Sequence, residues 1–456
     1  MDFEAYLSSL RGKRAAVIGV GVSNRPLMEL LLSHGVNVTA CDRKESLGEY
    51  GEELRRRGCE LHLGEQYLHG LNQDIIFRTP GMRPDLPEFQ TAVKNGSLLT
   101  SEMEVFFDVC PCRKIAVTGS DGKTTTTTII AGLLQSAGKR VHLGGNIGKP
   151  LLAETPSMLP EDFAVLELSS FQLMTMRKSP ETAVMTNLSP NHLDFHRDYA
   201  EYIAAKEHIF IHQSAHDTAV FNADNTDTLE ESCKVSGQCR MFSRKVEVPN
   251  GVFLRGEEIV SRTPEGERVV MRTTDIRLPG VHNIENYMAA IAAVEGLVSD
   301  EIIREFARTF GGVEHRIELV RTRNGVRWYN DSIASSPSRT IAGLNAFPEK
   351  VILIAGGKDK GISYAALGPV INEHVKFLIL CGKTAEVIRE SVRNAENDWG
   401  LPVVEVADYP EAVAKADQEA KDGDVVILSP ASTSFDRFAN FMERGNTFKK
   451  LVNELP

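Results

Sequence analysis

Residues 115–125 read Ile-Ala-Val-Thr-Gly-Ser-Asp-Gly-Lys-Thr-Thr, and this stretch decides the fold. Its first four residues are typical of a buried strand, and a helical pattern follows from Thr124 to Ala137. Glycines between a strand and a helix let backbone N–H groups converge on phosphate oxygens at the helix N-terminus. The stretch therefore predicts a phosphate-binding loop, in which Lys123 neutralises the β- and γ-phosphates and Thr124 offers a hydroxyl to Mg²⁺.

One position of this loop departs from the pattern G-x-x-x-x-G-K-[ST], because Val117 stands where the first glycine is expected. The alternative interpretation is a capped surface turn with an exposed lysine. The order of strand, glycines, Lys-Thr and helix favours phosphate binding. The predicted contacts are Gly119, Asp121, Gly122, Lys123, Thr124 and Thr125.

Short β-branched runs alternate with helical patterns on both sides of this stretch. Upstream, strands at 15–18 and 36–40 flank a helix from 26 to 34, and downstream the runs at 163–168 and 182–187 extend the central sheet. A third set of buried strands is expected at 351–355, 377–380 and 425–428. This alternation predicts an α/β protein with parallel sheets.

Strands restart after polar, proline-bearing or glycine-bearing stretches near residues 110 and 312, which predicts three domains over 1–110, 111–312 and 313–456. The segment 233–278 instead carries short alternating runs split by Asn250-Gly251 and Pro264-Glu265-Gly266. That pattern predicts a small β-hairpin insertion in the middle domain.

The composition is that of an ordinary folded protein, with 456 residues, 42% hydrophobic and 25% charged. A formal charge of −11 disfavours a nucleic-acid partner or an anionic membrane surface. No secretory signal or membrane span is recognised. The seven cysteines include Cys110 and Cys112 but no CxxC pair, which favours reduced thiols in a cytoplasm. We expect a cytoplasmic protein without membrane insertion.

A second glycine loop, Gly19-Val-Gly21, also follows a strand, and Asp42 closes the next strand as a dinucleotide site requires. Asn24 replaces the third glycine, so another diphosphate is favoured over a nicotinamide cofactor. Thr79-Pro80-Gly81-Met82 ends a further strand and is a similar loop.

Acidic and basic side chains near these loops suggest metal chemistry. Glu167 ends the run at 163–166, where it could hold Mg²⁺ opposite the phosphate loop or be a solvated acid.

His192 and His196 are four residues apart but lack the Glu of a zinc-binding HExxH motif, so a single functional histidine is expected. His208, His212 and His216 are interpreted as surface residues of one helix. Lys206 by itself would be a solvated lysine.

Taken together, GSDGKTTTT, GGNIG, ELSSFQL, NLSPNHLD, AAKEHIF, GVHNIEN, EHRIE, NDS, GGKDKG and LSPASTSFDRF resemble the motifs of the Mur ligases over nearly the whole chain. The resemblance implies a Rossmann-like N-terminal domain for a UDP-sugar peptide, a P-loop ATPase-like central domain and a Rossmann-like C-terminal domain that brings in an amino acid. The closest branch joins D-glutamate to UDP-N-acetylmuramoyl-L-alanine through an acyl phosphate, for peptidoglycan precursors. The implied cofactors are ATP, two Mg²⁺ ions and a carbamylated lysine, and a monomer is expected.

The resemblance also assigns roles to residues by motif. It implies catalytic roles for Lys123, His192 and Lys206, and magnesium ligation by Thr124, Glu167, His192 and carbamylated Lys206. Nucleotide contacts would include Asn283, Asn286, Arg316 and Asp331. The UDP-substrate would meet Val22, Ser23, Asp42, Arg43, Gly81, Asn146, Ser169, Gln172 and His192, and the amino acid would meet Lys360, Ser434 and Phe441.

One departure from the family pattern concerns the segment after Asn330 and Asp331. Many members of the branch read N-D-S-K-A-T, whereas this chain has Ile333 at the lysine position. Arg339 and Lys358 are candidate replacements for the lost positive charge.

The competing functions are a folylpolyglutamate-type ligase, an NAD-dependent oxidoreductase and a catalytically silent binding protein. The N-terminal 110 residues disfavour the folylpolyglutamate-type ligase, and the missing third glycine disfavours the oxidoreductase. A silent binding protein is disfavoured because the chain retains Lys123, Glu167, His192 and Lys206.

Overall fold

The computed structural model describes residues 2–21, 24–359, 361–396 and 400–456. Contacts divide the chain into two compact units, Met1–Thr273 with Glu285–Phe306, and Thr274–Ile284 with Ala307–Pro456. The described residues form three sheets of five, nine and six strands, most of them parallel. The predicted α/β class is therefore confirmed. No helix in the described ranges is both long and apolar enough to cross a membrane.

The first sheet is entirely parallel, with strand order β3-β2-β1-β4-β5. Because the order reverses between β1 and β4, the loops that follow these two strands are neighbours, and such a switch point is where open α/β sheets bind ligands. The elements are α1 (Phe3–Leu10), β1 (Arg14–Ile18), α2 (Arg25–Ser33), β2 (Asn37–Asp42), α3 (Glu49–Arg56), β3 (Glu60–Leu63), β4 (Ile75–Phe77), α4 (Pro87–Lys94), β5 (Leu98–Thr100) and α5 (Glu102–Val109).

The nine-stranded sheet has the order β14-β13-β12-β11-β10-β9-β6-β8-β7. Its strands are β6 (Arg113–Thr118), β7 (Val141–Gly145), β8 (Phe163–Glu167), β9 (Thr182–Met185), β10 (Thr218–Asn222), β11 (Gln238–Ser243), β12 (Gly251–Arg255), β13 (Glu258–Thr263) and β14 (Gly266–Arg272). Its helices are α6 (Lys123–Ser136), α7 (Ser170–Leu173), α8 (Tyr199–Glu207), α9 (Thr226–Ser232), α10 (Val281–Ala293) and α11 (Asp300–Thr309), with short 3-10 turns at Leu152–Ser157 and Thr273–Asp275.

The expected hairpin segment lies at one edge of this sheet. β12, β13 and β14 pair antiparallel, and the second predicted turn, at Pro264-Glu265, joins β13 to β14. The first predicted turn, at Asn250-Gly251, is not a hairpin turn, because β11 and β12 on either side of it pair in parallel. Gly251 begins β12, and a Cβ there would lie 1.9 Å from the Met241 carbonyl oxygen, so the glycine permits close strand approach.

The second unit contains a six-stranded sheet of order β15-β16-β20-β17-β18-β19, parallel except for the β15–β16 pair. Apolar side chains pack on both faces of this sheet, which explains why its central strands are continuous hydrophobic runs. The elements are β15 (Glu318–Arg323), β16 (Val326–Asn330), α12 (Pro337–Leu344), β17 (Val351–Ala355), α13 (Leu367–His374), β18 (Val375–Leu380), α14 (Ala385–Arg393), β19 (Val403–Glu405), α15 (Tyr409–Glu419), β20 (Val425–Leu428) and α16 (Phe441–Glu454).

Candidate active site

The predicted phosphate loop joins β6 to α6, as the sequence pattern requires. Gly119 and Gly122 have φ angles of 148° and 78°, which non-glycine residues rarely adopt. A Cβ at Gly119 would lie 1.9 Å from Thr186 Oγ1, and one at Gly122 would lie 2.5 Å from Asn286 Oδ1. Both positions therefore need glycine for conformation and for space.

Residues after β9 hold this loop in place. The backbone N–H of Asp121 donates to Asn187 Oδ1 at 2.8 Å, and that of Ser120 donates to the Asn187 carbonyl at 2.9 Å. The Thr186 hydroxyl donates to the Asp121 carbonyl at 2.6 Å. Lys123 at the start of α6 turns its ammonium back to the carbonyls of Gly119 and Ser120, at 2.9 and 2.8 Å. These hydrogen bonds hold the backbone of the loop in place around Lys123.

Glu167 ends β8 beside this loop and is only 2% exposed. The Thr124 hydroxyl donates to its Oε2 at 2.7 Å, and the Asn146 amide donates to its Oε1 at 2.7 Å. Carboxylate and hydroxyl oxygens are the donors that Mg²⁺ prefers. Thr124, Glu167 and Asn146, three residues predicted from separate motifs, therefore meet at the carboxyl ends of adjacent strands. The oxygens of Thr124 and Glu167 fit a magnesium ion, and Asn146 is hydrogen-bonded to the same carboxylate.

Lys206, on α8, is not the solvated lysine that its local sequence suggests, since it is 1% exposed. Its ammonium donates to Thr118 Oγ1 at 3.1 Å and to the Gly119 carbonyl at 2.8 Å. It also lies 4.8 Å from the centre of the Tyr202 ring. Burial, reinforced by the nearby charge of Lys123, lowers the pKa of Lys206 well below its usual value. A buried amine that readily loses its proton fits carbamylation, because CO₂ adds to the neutral form.

The histidines of the 192–196 segment have different surroundings. The exposed His192 has a positive φ of 54°, and its ring contacts Phe171 at a centroid distance of 4.9 Å. His196 is buried, and its Nε2 lies 2.9 Å from Ser170 Oγ. Across the described ranges, no three His, Cys, Asp or Glu side chains are grouped closely enough to hold a metal ion.

The interpretation of His208, His212 and His216 as one helical face was wrong. α8 ends at Glu207, and the chain continues in tight turns in which Ile209 N–H donates to the Lys206 carbonyl and Phe210 N–H donates to the Glu207 carbonyl. The three histidines therefore do not share one face of a continuous helix, although His212 and His216 are exposed as expected.

The switch point of the first sheet brings together the two predicted loops there. A Cβ at Gly19 would lie 3.4 Å from the Thr79 side chain, so the loop after β1 touches the loop after β4. Asp42, at the end of β2, accepts hydrogen bonds from the backbone N–H groups of Val20 and Lys44, at 2.7 and 2.9 Å. Arg43 and Gly81 are exposed at the same end of the sheet. Val22 and Ser23 lie outside the described residues.

Ser169 and Gln172 form a capping box at the start of α7, next to Glu167. The Gln172 N–H donates to Ser169 Oγ at 3.3 Å, and Gln172 Oε1 accepts from the Ser169 backbone N–H at 3.0 Å. The cap fixes both polar side chains beside the end of β8.

The predicted nucleotide contacts outside the loop fall on α10 and in the second unit. Asn286 Oδ1 accepts from Thr126 Oγ1 at 3.2 Å, and Asn283 donates to the Pro279 carbonyl at 2.6 Å. Asp331 follows β16 and accepts from Ser429 Oγ at 2.7 Å. Burial raises the pKa of Asp331 to about 7, although the charge of Arg316 opposes that shift.

The predicted amino-acid contacts also lie in the second unit. Ser434 is 3% exposed, and Phe441 begins α16, with its ring 5.9 Å from that of His315. Ile333, the departure from the family pattern, accepts a hydrogen bond on its carbonyl from Arg339 Nη1 at 3.2 Å. Arg339 therefore brings a positive charge next to the position of the missing lysine. Lys360 lies outside the described residues.

Two arginines at these sites were not predicted. Arg83 makes a bidentate ion pair with Glu201, at 2.9 and 3.0 Å, and also donates to the Phe195 carbonyl. It therefore links the loop after β4 to α8. Arg444 is fully buried and donates to Ser332 Oγ, the Ser332 carbonyl and the Ser432 carbonyl. Arg83 also pairs with the nearby Asp85, at 2.7 and 2.8 Å. The other contacts of the two arginines have no local sequence signal, because those partners are distant along the chain.

Comparisons with known proteins agree with this geometry. The family described as Mur ligase middle domain matches residues 117–294, and the family described as Mur ligase, glutamate ligase domain matches residues 315–432. The fold and phosphate site define the class, and the chain belongs to the Mur ligase family.

Two relatives are named UDP-N-acetylmuramoylalanine--D-glutamate ligase. The protein from Acetivibrio thermocellus is 50% identical, over 99% of this chain and 98% of the relative. The protein from Ruminiclostridium cellulolyticum is 51% identical, over 99% of each.

Solved structures support the same fold at lower sequence identity. UDP-N-acetylmuramate-alanine ligase MurC from Thermotoga maritima superposes with a TM-score of 0.59 at 18% identity, covering 97% of this chain and 99% of that one. A UDP-N-acetylmuramoyl-L-alanyl-D-glutamate--2,6-diaminopimelate ligase superposes with a TM-score of 0.55 at 20% identity, covering 92% and 86%.

Proposed function

We propose that this chain is the ATP-dependent ligase that joins D-glutamate to UDP-N-acetylmuramoyl-L-alanine during synthesis of peptidoglycan precursors. The observation that carries the proposal is the group of Lys123, Thr124, Glu167 and Lys206 around the phosphate loop, in which Glu167 and Lys206 are buried. It occurs in a chain that matches relatives of that name from end to end.

The reaction transfers the γ-phosphoryl group of ATP to the alanyl carboxylate, which gives an acyl phosphate and ADP. The amine of glutamate then attacks the acyl carbon, and the tetrahedral intermediate loses phosphate to form the amide. A carboxylate that attacks a phosphate needs concentrated positive charge and exact positioning. Lys123 supplies that charge, and the N–H groups at the start of α6 orient the phosphates.

Mg²⁺, when bound, supplies the remaining neutralisation of the phosphate oxygens. Thr124 and Glu167 would hold one ion, while His192 and a carbamylated Lys206 would hold the second. Carbamylation converts a repelling ammonium into an anion with two oxygens. The lowered pKa of Lys206 favours this modification.

The substrates are assigned to three segments. Residues 1–110 would bind the UDP-sugar through Val22, Ser23, Asp42, Arg43 and Gly81, and Asn146, Ser169, Gln172 and His192 would face its reacting end. Residues 111–312 would bind ATP through the phosphate loop, Asn283 and Asn286. Residues 313–456 would add Arg316 and Asp331 to the nucleotide, and Lys360, Ser434 and Phe441 to the amino acid. The enzyme would act in the cytoplasm as a monomer.

The decisive experiment measures ADP release with UDP-N-acetylmuramoyl-L-alanine and a panel of amino acids. We expect turnover that requires ATP, Mg²⁺ and the UDP-sugar together and is fastest with D-glutamate. Turnover without the UDP-sugar, or with a folate in its place, would overturn the proposal.

A further inference from the structure

Three sulfur atoms lie together away from the proposed catalytic groups. Cys110 follows α5, Cys112 precedes β6, and Met158 follows the 3-10 turn at Leu152–Ser157. The Sγ atoms of Cys110 and Cys112 are 3.2 Å apart, and the Sγ of Cys112 is 3.8 Å from the Sδ of Met158. Both thiols are free.

The cluster is buried on one side and open to the solvent on the other. Cys112 and Met158 are 1% and 5% exposed, whereas Cys110 is partly exposed and leaves a path to the solvent. The hydrogen bond from Cys112 lowers the pKa of Cys110 and, with burial, raises the pKa of Cys112. A cation bound between the two sulfurs would favour the thiolate form of both, because an opposite charge stabilises an ionised group.

We propose that Cys110, Cys112 and Met158 form a binding site for one soft monovalent cation of the Cu(I) type. Thiolate and thioether sulfurs are the donors that select Cu(I), whereas Mg²⁺ and Ca²⁺ select oxygen. Binding releases two thiol protons and forms three metal–sulfur bonds, which leaves a site of charge −1. No electron transfer is required.

The geometry needs only a small adjustment. Metal–sulfur bonds of about 2.3 Å place ligand sulfurs roughly 3.7–4.0 Å apart. The Cys112–Met158 separation of 3.8 Å already fits this range. The Cys110–Cys112 pair must open by less than about 1 Å, which a rotation of the partly exposed Cys110 side chain can supply. An intramolecular disulfide would use the two cysteines and leave the third sulfur without a role.

The test is an anaerobic titration of the whole enzyme with Cu(I) against a chromophoric Cu(I) chelator. We expect one tightly bound equivalent in the wild type. Cys110→Ser and Cys112→Ala should weaken it at least a hundredfold, and Met158→Leu about tenfold. The matched control is Cys233→Ser, which removes an exposed thiol elsewhere and should change nothing.

X-ray absorption should show three sulfur neighbours in the wild type and two in Met158→Leu. Unchanged Cu(I) affinity in Cys110→Ser, or two sulfur neighbours in the wild type, would overturn the proposal. Cys112→Ala replaces a buried thiol by a small apolar group, and matching circular dichroism and ligase activity will show that a loss of Cu(I) affinity is not a loss of fold.

Discussion

At the scale of single residues, Lys206 shows how far an environment changes a side chain's chemistry. Lysine is normally solvated, but here the amine is buried against a threonine hydroxyl and a backbone carbonyl. Removing a cation from water favours its neutral form. Glu167 is equally buried, yet hydrogen bonds from Thr124 and Asn146 reach both of its oxygens. The two residues thus combine an easily modified amine with a ready-made oxygen ligand.

Replacing Lys206 by Ala should leave the enzyme nearly inactive, because the carbamate that would hold the second magnesium is lost. A short carboxylic acid in the buffer should partly restore turnover by occupying the vacated space. Steady-state ADP release with and without the acid measures this effect. A plain lysine by intact mass in a fully active, CO₂-depleted enzyme would contradict the role.

Replacing Lys123 by Ala should abolish ligase activity, since no other residue of the loop can place a positive charge among the phosphate oxygens. Binding of the UDP-sugar, measured by calorimetry, should survive because the proposed contacts with its uridine diphosphate lie in residues 1–110. The phosphate-loop assignment is wrong if the variant keeps a tenth of the wild-type turnover.

At the scale of elements, the site depends on how strand ends are joined to helices. β6, β8 and β9 are neighbours in one parallel sheet, so Gly119, Glu167 and Thr186 leave the same edge. The loop after β6 has little space for side chains, because Thr186 after β9 lies against Gly119 and Asn286 of α10 lies against Gly122. The same close packing that makes the loop rigid makes it intolerant of side chains.

Gly122→Ala should weaken ATP binding by more than tenfold, because the new methyl group meets Asn286 and the φ of 78° disfavours alanine. Gly138→Ala, beyond the other end of α6, is the matched control. It also has a positive φ, but a Cβ there meets nothing within 4 Å. Nucleotide titration should separate the two variants, and equal affinities would contradict the steric argument.

Glu102 at the start of α5 makes stability depend on pH. Burial raises its pKa from 4.5 to about 7, although backbone N–H groups of Leu151 and Leu152 oppose the shift. Between these values the folded state keeps a proton that the unfolded state has lost, so stability falls as pH rises through this window. The destabilisation persists above pH 7.

Glu102→Gln should therefore gain stability over the wild type between pH 5 and pH 8, by about 1–3 kcal/mol. Urea unfolding at both pH values measures the difference. Glu53→Gln, on the exposed surface of α3, is the control and should show no such trend. A constant difference across pH would mean that Glu102 is ionised in the folded protein.

At the scale of the whole molecule, the three sheets place distinct chemistry at their carboxyl edges. The first presents paired loops at its switch point, the second the phosphate loop, and the third Asp331 and Ser434. The proposed acceptor contacts follow the strands of the third sheet, where Arg339 contacts the Ile333 carbonyl. Arg339 thus supplies a positive charge near the position of the missing lysine, in the form of a planar guanidinium rather than a compact ammonium.

D-Glutamate should be the preferred acceptor, and Ile333→Lys should be tolerated because the bound ligands are negatively charged. Competition assays at saturating ATP, with kcat/KM compared across amino acids, test both expectations. Faster turnover with L-glutamate or lysine would contradict the assignment.

The amino-acid sequence by itself determined the strand, loop and helix around Lys123, several buried strands in each of the three sheets and the family, but it missed the buried strand β10. These features are local patterns, whose periodicity or glycine placement is visible within about ten residues. Tertiary structure alone decided the burial of Lys206, the end of α8 before His208 and the partners of Arg83 and Arg444. The physical reason is that burial and ion pairing depend on which strand ends, distant in sequence, come together in the fold. The local spacing of residues carries no pattern that predicts those contacts.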